Sequence, residues 1–160
     1  MVVFYMINFN DDERKQRMVR RFKGLGLDLQ FVNPVYESDP RLENTRLYKR
    51  TSSIMLQHLD SIRHFYENTS SDYCVVCEDD IYISKHLASD LPDIIRSFDY
   101  LKLDVLVLGY LYPYSLHENW HFPVLQETKN YCYHGFPDDI WGSQMSVSYT
   151  HLTLPTIFRV

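Results

Sequence analysis

Three runs of this chain are apolar almost without interruption and rich in β-forming residues: VVFYMI at 2–7, YCVVC at 73–77 and LDVLVL at 103–108. A strand with one face in water alternates apolar and polar side chains, whereas a strand covered on both faces does not. These runs therefore predict strands sandwiched between two layers, and the segments between them predict helices as the layers. Asn10 and Asp11 offer helix-capping side chains, Asp12 and Glu13 suit a first turn, and Gly24 and Gly26 suit an end after Lys23. Residues 29–32 read as a short second strand, stopped by Asn33-Pro34. Residues 40–49 are polar and carry no clear period. Thr51 or Ser52 is expected to cap a helix reaching Asn68, with Ile54, Met55, Leu59, Ile62, Phe65 and Tyr66 facing inward. Ile81 and Ile83 extend the chain, and Ser84 is expected to cap a helix through Phe98 that Pro92 perturbs or splits. Buried strands alternating with helices predict a single α/β domain with a mostly parallel sheet flanked by helices.

Bulk properties narrow the function classes. The 160 residues are 45% hydrophobic, enough for one domain with a real core. The balance of 16 basic and 21 acidic residues argues against a nucleic-acid partner. The densest basic cluster, ERKQRMVRRFK at 13–23, has helical spacing and reads first as a solvated helix face. Cys74 and Cys77 form a C-x-x-C, but in a strand residues three apart face opposite ways, so two buried core thiols are expected rather than a metal or redox pair. An odd count of three cysteines fits a reducing compartment. The opening MVVFYMINF is too short to span a bilayer and lacks the marks of a signal peptide. The expected location is the cytoplasm, with a peripheral position at a membrane left open, and no transmembrane segment is expected.

The feature that bears most on function is the acidic triplet Glu78-Asp79-Asp80, which follows the second apolar run directly. In an open α/β sheet, ligands bind beyond the carboxyl ends of the strands. Three adjacent carboxylates repel one another unless a cation sits among them, and a hard divalent ion favours carboxylate oxygens, completing its shell with water and phosphate. Two readings stand side by side: a Mg2+ or Mn2+ site that holds a diphosphate, or a solvated acidic turn at a strand end.

Four blocks of the chain resemble glycosyltransferase family 25, the lipopolysaccharide-biosynthesis and procollagen galactosyltransferase-like group. They are MINFNDDERKQRM at 6–18, SSIMLQHLDSIRHF at 52–65, VVCEDDIYI at 75–83 and DIWGSQMSVS at 139–148. Their order and approximate spacing agree with that family's opening strand and Arg-rich helix, its Ser-His helix, its Glu-Asp-Asp block and its aromatic-Gly segment. The chain departs from those patterns at Asn10 and Asp11, at Ser53-Ile54 and Gln57, and at Gln144 and Met145. The resemblance implies a GT-A-like, Rossmann-like fold and a metal-dependent hexosyl transfer from a nucleotide-sugar, commonly UDP-galactose, to a glycan or other hydroxyl acceptor. It implies Mn2+ or Mg2+ held by Asp80 first and Glu78 second, with Asp79 meeting the ribose or the metal. Substrate contacts are implied at Ile7, Asn8, Arg14, His58, Asp79 and Trp141. Inversion at the sugar requires a general base, for which Asp138 and Asp139 are the candidates.

Each assignment has a plainer counterpart. His58 suits a hydrogen-bonded core histidine as well as a support of the donor site. Arg14 and Arg17 suit a solvated helix as well as phosphate contacts. Asp138 and Asp139 suit an acidic turn after Pro137, and Trp120 and Trp141 suit core packing. Receiver-type and haloacid-dehalogenase-type phosphotransfer domains fit poorly, since Asp104 begins its strand and Glu78 stands where an Asp is needed. A nucleotide-sugar-binding domain without turnover, or an inactive fragment too short to complete its site, is the remaining alternative. Finally, VSYTHLTLPT at 147–156 resembles translated sequencing-adapter DNA. Residues 1–146 are therefore expected to be the domain, incomplete at its carboxyl end, and residues 147–160 a non-native tail, the plainer counterpart being an ordinary final strand at Thr150 to Leu154.

Overall fold

The structure, a computed structural model, describes residues 1–109, 124–135 and 145–149. The elements are strand β1 (Val2–Ile7), helix α1 (Asp12–Gly24), strand β2 (Leu29–Phe31), a 3-10 turn at Pro40–Leu42, helix α2 (Lys49–Asn68), strand β3 (Tyr73–Glu78), helix α3 (Leu87–Tyr100), and strands β4 (Val105–Gly109), β5 (Val124–Glu127), β6 (Cys132–His134) and β7 (Met145–Tyr149). Asp138, Asp139, Trp120 and Trp141 lie outside the described residues, as do residues 150–160.

All three apolar runs become strands of one five-stranded sheet, in the order β2-β1-β3-β7-β4. β1 pairs in parallel with β2 on one side and with β3 on the other. β7 is antiparallel to both β3 and β4, so β4 runs in the same direction as β1. The expectation of a mostly parallel sheet thus holds for the β2-β1-β3 half and is corrected at β7, which interrupts the parallel pairing. A long-range insertion of this kind leaves no trace in local periodicity. Three of the five residues of β7, 147–149, belong to the segment expected to be a tail. β5 and β6 form a separate antiparallel hairpin.

Alternation along β1 and β3 sorts their side chains between two layers. Phe4 and Met6 join Val75 and Cys77 on the face covered by Met18 and Phe22 of α1 and by Leu91, Ile94 and Phe98 of α3. Phe22 and Phe98 have no exposed surface, and burying each contributes on the order of 2–3 kcal/mol. Val3, Tyr5 and Ile7 join Cys74 and Val76 on the opposite face, against Phe65 and Ile62 of α2. The two cysteines of the C-x-x-C are therefore buried on opposite sides of the sheet as free thiols, as their spacing predicts. Burial pushes the Cys74 thiol up to about 12, which leaves it protonated and unreactive at neutral pH.

The helices follow the sequence unevenly. α1 begins where expected, with the Asp11 carboxylate accepting from the backbone N–H of Arg14. Its end is followed by Gly26, whose φ of +68° is readily open to glycine. α2 departs from expectation at both its start and its inner face. It begins at Lys49, with Tyr48 as the capping residue; Thr51 and Ser52 lie within the first turns, and the N–H of Ser52 already donates to the Tyr48 carbonyl. Its buried residues are Ser52, Ser53, Gln57, Ser61 and Phe65, while Ile54, Met55 and Tyr66 are exposed. Small hydroxyl side chains can lie against a sheet because each finds a local acceptor: Ser53 donates to the Arg50 carbonyl and Ser61 to that of Gln57. α3 begins at Leu87 rather than beside Ser84, whose hydroxyl accepts from the His86 N–H ahead of the helix. Pro92 does not split it; its ring lies on the exposed side, where water can take up the carbonyl that loses its partner.

Candidate functional site

Strand order reverses around β1: the chain leaves it through α1 to β2 on one side and returns through α2 to β3 on the other. A crevice opens at the carboxyl ends of the strands on either side of such a reversal. The register pairs Ile7 with Glu78, so the chain segments after both strands emerge side by side. Ile7 itself is buried and belongs to the core on the α2 side.

Asn8, the next residue, is 8% exposed and ties the crevice together. Its side-chain amide donates to Asp79 Oδ2 at 2.6 Å and to the Asp11 carbonyl at 2.9 Å, and its own carbonyl accepts from Gln57 Nε2 at 3.3 Å. Asn10 follows in the left-handed region at φ 55°, a conformation Asn tolerates better than most residues, and its amide donates to the Tyr36 hydroxyl. This turn sets the start of α1 so that Arg14 reaches back over the end of β3. Arg14 Nη1 donates to Asp79 Oδ1 at 3.3 Å and lies 3.8 Å from Asp80 Oδ2, while its Nε lies 3.3 Å from Asp11 Oδ2. The hydrogen bond to Asp79, with the surrounding carboxylates, raises the pKa of Arg14 further above its ordinary value.

The acidic triplet is thereby divided among three environments. Asp79 is buried, with one oxygen taken by Asn8 and the other by Arg14. Glu78 points to the α2 side, where its Oε1 lies 3.8 Å from His58 Nε2. Asp80 has a side chain 56% exposed at the rim. Neither the Glu78 nor the Asp80 carboxylate accepts a hydrogen bond from any described residue. Mutual repulsion is relieved because Asp79 and Asp80 both have the Arg14 guanidinium within ion-pair distance, while Glu78 lies against His58.

His58 is not the hydrogen-bonded core histidine that its apolar surroundings allow. Its Nε2 is buried without a hydrogen-bond partner among the described residues and faces Glu78. Beside the triplet, on the α1 side, is a cavity of about 250 Å3 lined by Arg14, Arg17 and Arg21 and by residues 79–82. The structure thus brings together Ile7, Asn8, Arg14, His58, Glu78, Asp79 and Asp80; it does not describe Asp138, Asp139 or Trp141. Sequence reasoning missed Gln57, Arg21 and Tyr82 as neighbours of the site. Only Arg21 left a signal, since it falls one helical stripe along from Arg14 and Arg17.

Among the described residues no three His, Cys, Asp or Glu side chains converge as a ready-made metal cage, and no helix is long and apolar enough to cross a membrane. Compared with known proteins, the chain matches no family model and no curated protein sequence.

Proposed function

We propose that this chain is a metal-dependent glycosyltransferase of GT-A organisation. It moves a hexose, galactose first, from a UDP-sugar to a hydroxyl of a glycan or other acceptor, in cell-surface polysaccharide, lipopolysaccharide or glycoprotein biosynthesis, and acts in the cytoplasm. The observation that carries the reading is the division of the triplet: Asp79 is hydrogen-bonded by Arg14 and Asn8, while the Glu78 and Asp80 side chains, with His58 and Arg14 at 3.8 Å, accept no hydrogen bond from a described residue in the crevice where strand order reverses.

Those two carboxylates fit Mn2+ or Mg2+ as part of a shell. Hard cations commonly take one or two protein carboxylates and fill the other positions with water and phosphate oxygens. The orphaned His58 Nε2 against Glu78 is a further donor on the same side. When bound, the ion would offset the charge that develops on the departing nucleoside diphosphate. The protein's own groups supply the rest. Arg14, fixed by Asp79 and Asp11, presents a guanidinium to a phosphate at the rim. Asn8 holds Asp79 in place, and Asp138 or Asp139 receives the acceptor's proton as general base.

The test is release of UDP from a panel of UDP-sugars by the full chain in Mn2+, with and without chelator. Chelator-sensitive release, lost in Asp80→Ala, is expected. Absent release, or release indifferent to both chelator and Asp80→Ala, would overturn the transferase. Donor binding in Mn2+ with no release would make the chain a nucleotide-sugar-binding domain instead.

A further inference from the structure

We infer that the cavity against α1 recognises a phosphate group carried on a ring, with Arg17 and Arg21 as its anion ligands and Tyr82 as its stacking surface. The site shares Asp80 at its edge with the carboxylates proposed to hold the cation, but its anion ligands are arginines, so its occupation requires no metal.

Three guanidinium groups line this cavity at positions 14, 17 and 21, one stripe of α1. They are not equivalent. Arg14 is engaged by Asp79 and Asp11. Arg21 uses only Nη1, donating to the Ile81 carbonyl at 3.3 Å with Met18 Sδ at 3.8 Å, which leaves its other N–H donors without a partner among the described residues. Arg17 is half-buried, with no hydrogen bond or ion pair to any described residue. A guanidinium drawn partly out of water without a carboxylate loses hydration and regains it best from an anion that accepts two parallel N–H bonds. Arg17 is the half-buried one of the pair; Arg21 is exposed and brings its remaining donors to the same cavity, and two cations side by side match a dianion, which favours phosphate over a single carboxylate ligand. The two aspartates that also line it, Asp79 and Asp80, lie towards Arg14 rather than towards the free donors.

Size and rim chemistry define the remainder of the ligand. At about 250 Å3 the cavity falls below the range of roughly 300–1,000 Å3 typical of sites that enclose a drug-sized molecule. It suits a phosphate and an adjoining ring, not an entire nucleotide-sugar. Tyr82 lines the cavity while being 91% exposed, so one face of a large aromatic ring is left open beside the arginines. Such a ring stacks readily on a nucleobase or on the apolar face of a sugar. The phosphate has two natural sources, the nucleotide of a donor or a phosphorylated sugar on an acceptor.

Calorimetric titration of the full chain in chelator and low salt tests this, with inorganic phosphate, UDP and glucose 6-phosphate as separate probes. Saturable binding is expected, weakened about tenfold or more in Arg17→Ala and in Arg21→Ala, as loss of a charge-assisted pair predicts. Arg20→Ala, which removes the same charge from an exposed position outside the cavity, is expected to leave affinity unchanged. Tyr82→Ala should spare inorganic phosphate and weaken a ring-bearing probe: UDP if the source is the nucleotide, glucose 6-phosphate if it is the acceptor. No saturable binding of any probe, or equal weakening by Arg20→Ala, would overturn the site. Because the titration uses neither metal nor transfer, its failure and that of the transferase reading are separate results.

Discussion

Two arginines, Arg41 and Arg14, show how one side chain serves two purposes in this molecule. Their exposures are nearly equal, 43% and 45%, so burial does not tell them apart. Geometry does. Arg41 is gripped twice: Asp39 accepts from its Nε at 3.0 Å and its Nη2 at 2.8 Å, and Asp60 accepts from Nη1 at 2.8 Å and Nη2 at 3.0 Å. Those forks tie the 3-10 turn to α2, raise the arginine's pKa and hold Asp39 down at about 2. Arg14 has carboxylates on several sides, yet its ion-pair contacts lie at 3.3 to 3.8 Å. A guanidinium with its donors closed off is a clamp; one held by fewer and longer contacts at the rim of a crevice keeps N–H donors to spare for a ligand.

The largest effects should separate chemistry from stability within the triplet. Asp80→Ala should lower UDP release by about 10²-fold or more, the scale expected when electrostatic support of a developing charge is removed, while the thermal midpoint stays put because Asp80 supports nothing buried. An equal loss of stability would place Asp80 with the clamps. Asp79→Ala should instead destabilise the fold by about 1–3 kcal/mol in urea unfolding, since it strips the buried Asn8 amide of one acceptor and frees Arg14. A neutral result would mean that Asn8 and Arg14 find other partners without difficulty. Arg41→Ala should cost less, below about 1 kcal/mol, because both of its ion pairs are solvent-screened. It should also leave phosphate binding and UDP release unchanged, and any change in either would erase the contrast with Arg14.

How much of this was legible depends on how local each cause is. Continuous apolar runs mark β1, β3 and β4 because burial on both faces is written residue by residue. Asp11 as the cap of α1 is equally local. The inner face of α2 was legible only towards its end, at Ile62 and Phe65: Gln57 is buried where the Asn8 carbonyl, 49 positions away, takes its donor, and Ile54 and Met55 are left outside. Arg41 sits in a stretch with no period, and its partner Asp60 is 19 residues off, so the clamp had no signature. The site was half legible. The triplet announced itself by its charge; its division into one neutralised and two open carboxylates depends on Arg14, Asn8 and His58 arriving from two different helices and a strand end.

The smallest predicted effect is the most specific to the clamp. Asp39 has an ordinary pKa of 3.8 and is held at about 2 in the fold, chiefly by the side-chain hydrogen bond from Arg41. A carboxylate with a depressed folded pKa binds fewer protons when folded than when unfolded, so stability rises with pH across the interval between the two values. The contribution from Asp39 is therefore fully present above its unfolded pKa and fades as pH falls from about 4 through about 2. Arg41 adds no slope there, because its raised pKa lies far above the window. Urea unfolding followed from pH 5 to pH 2 should show a small decline in the intact chain that is reduced in Asp39→Asn and in Arg41→Ala alike. If the two variants keep the full slope, the acid sensitivity belongs to other carboxylates, and the forks around Arg41 constrain geometry without measurably stabilising the ionised form of Asp39.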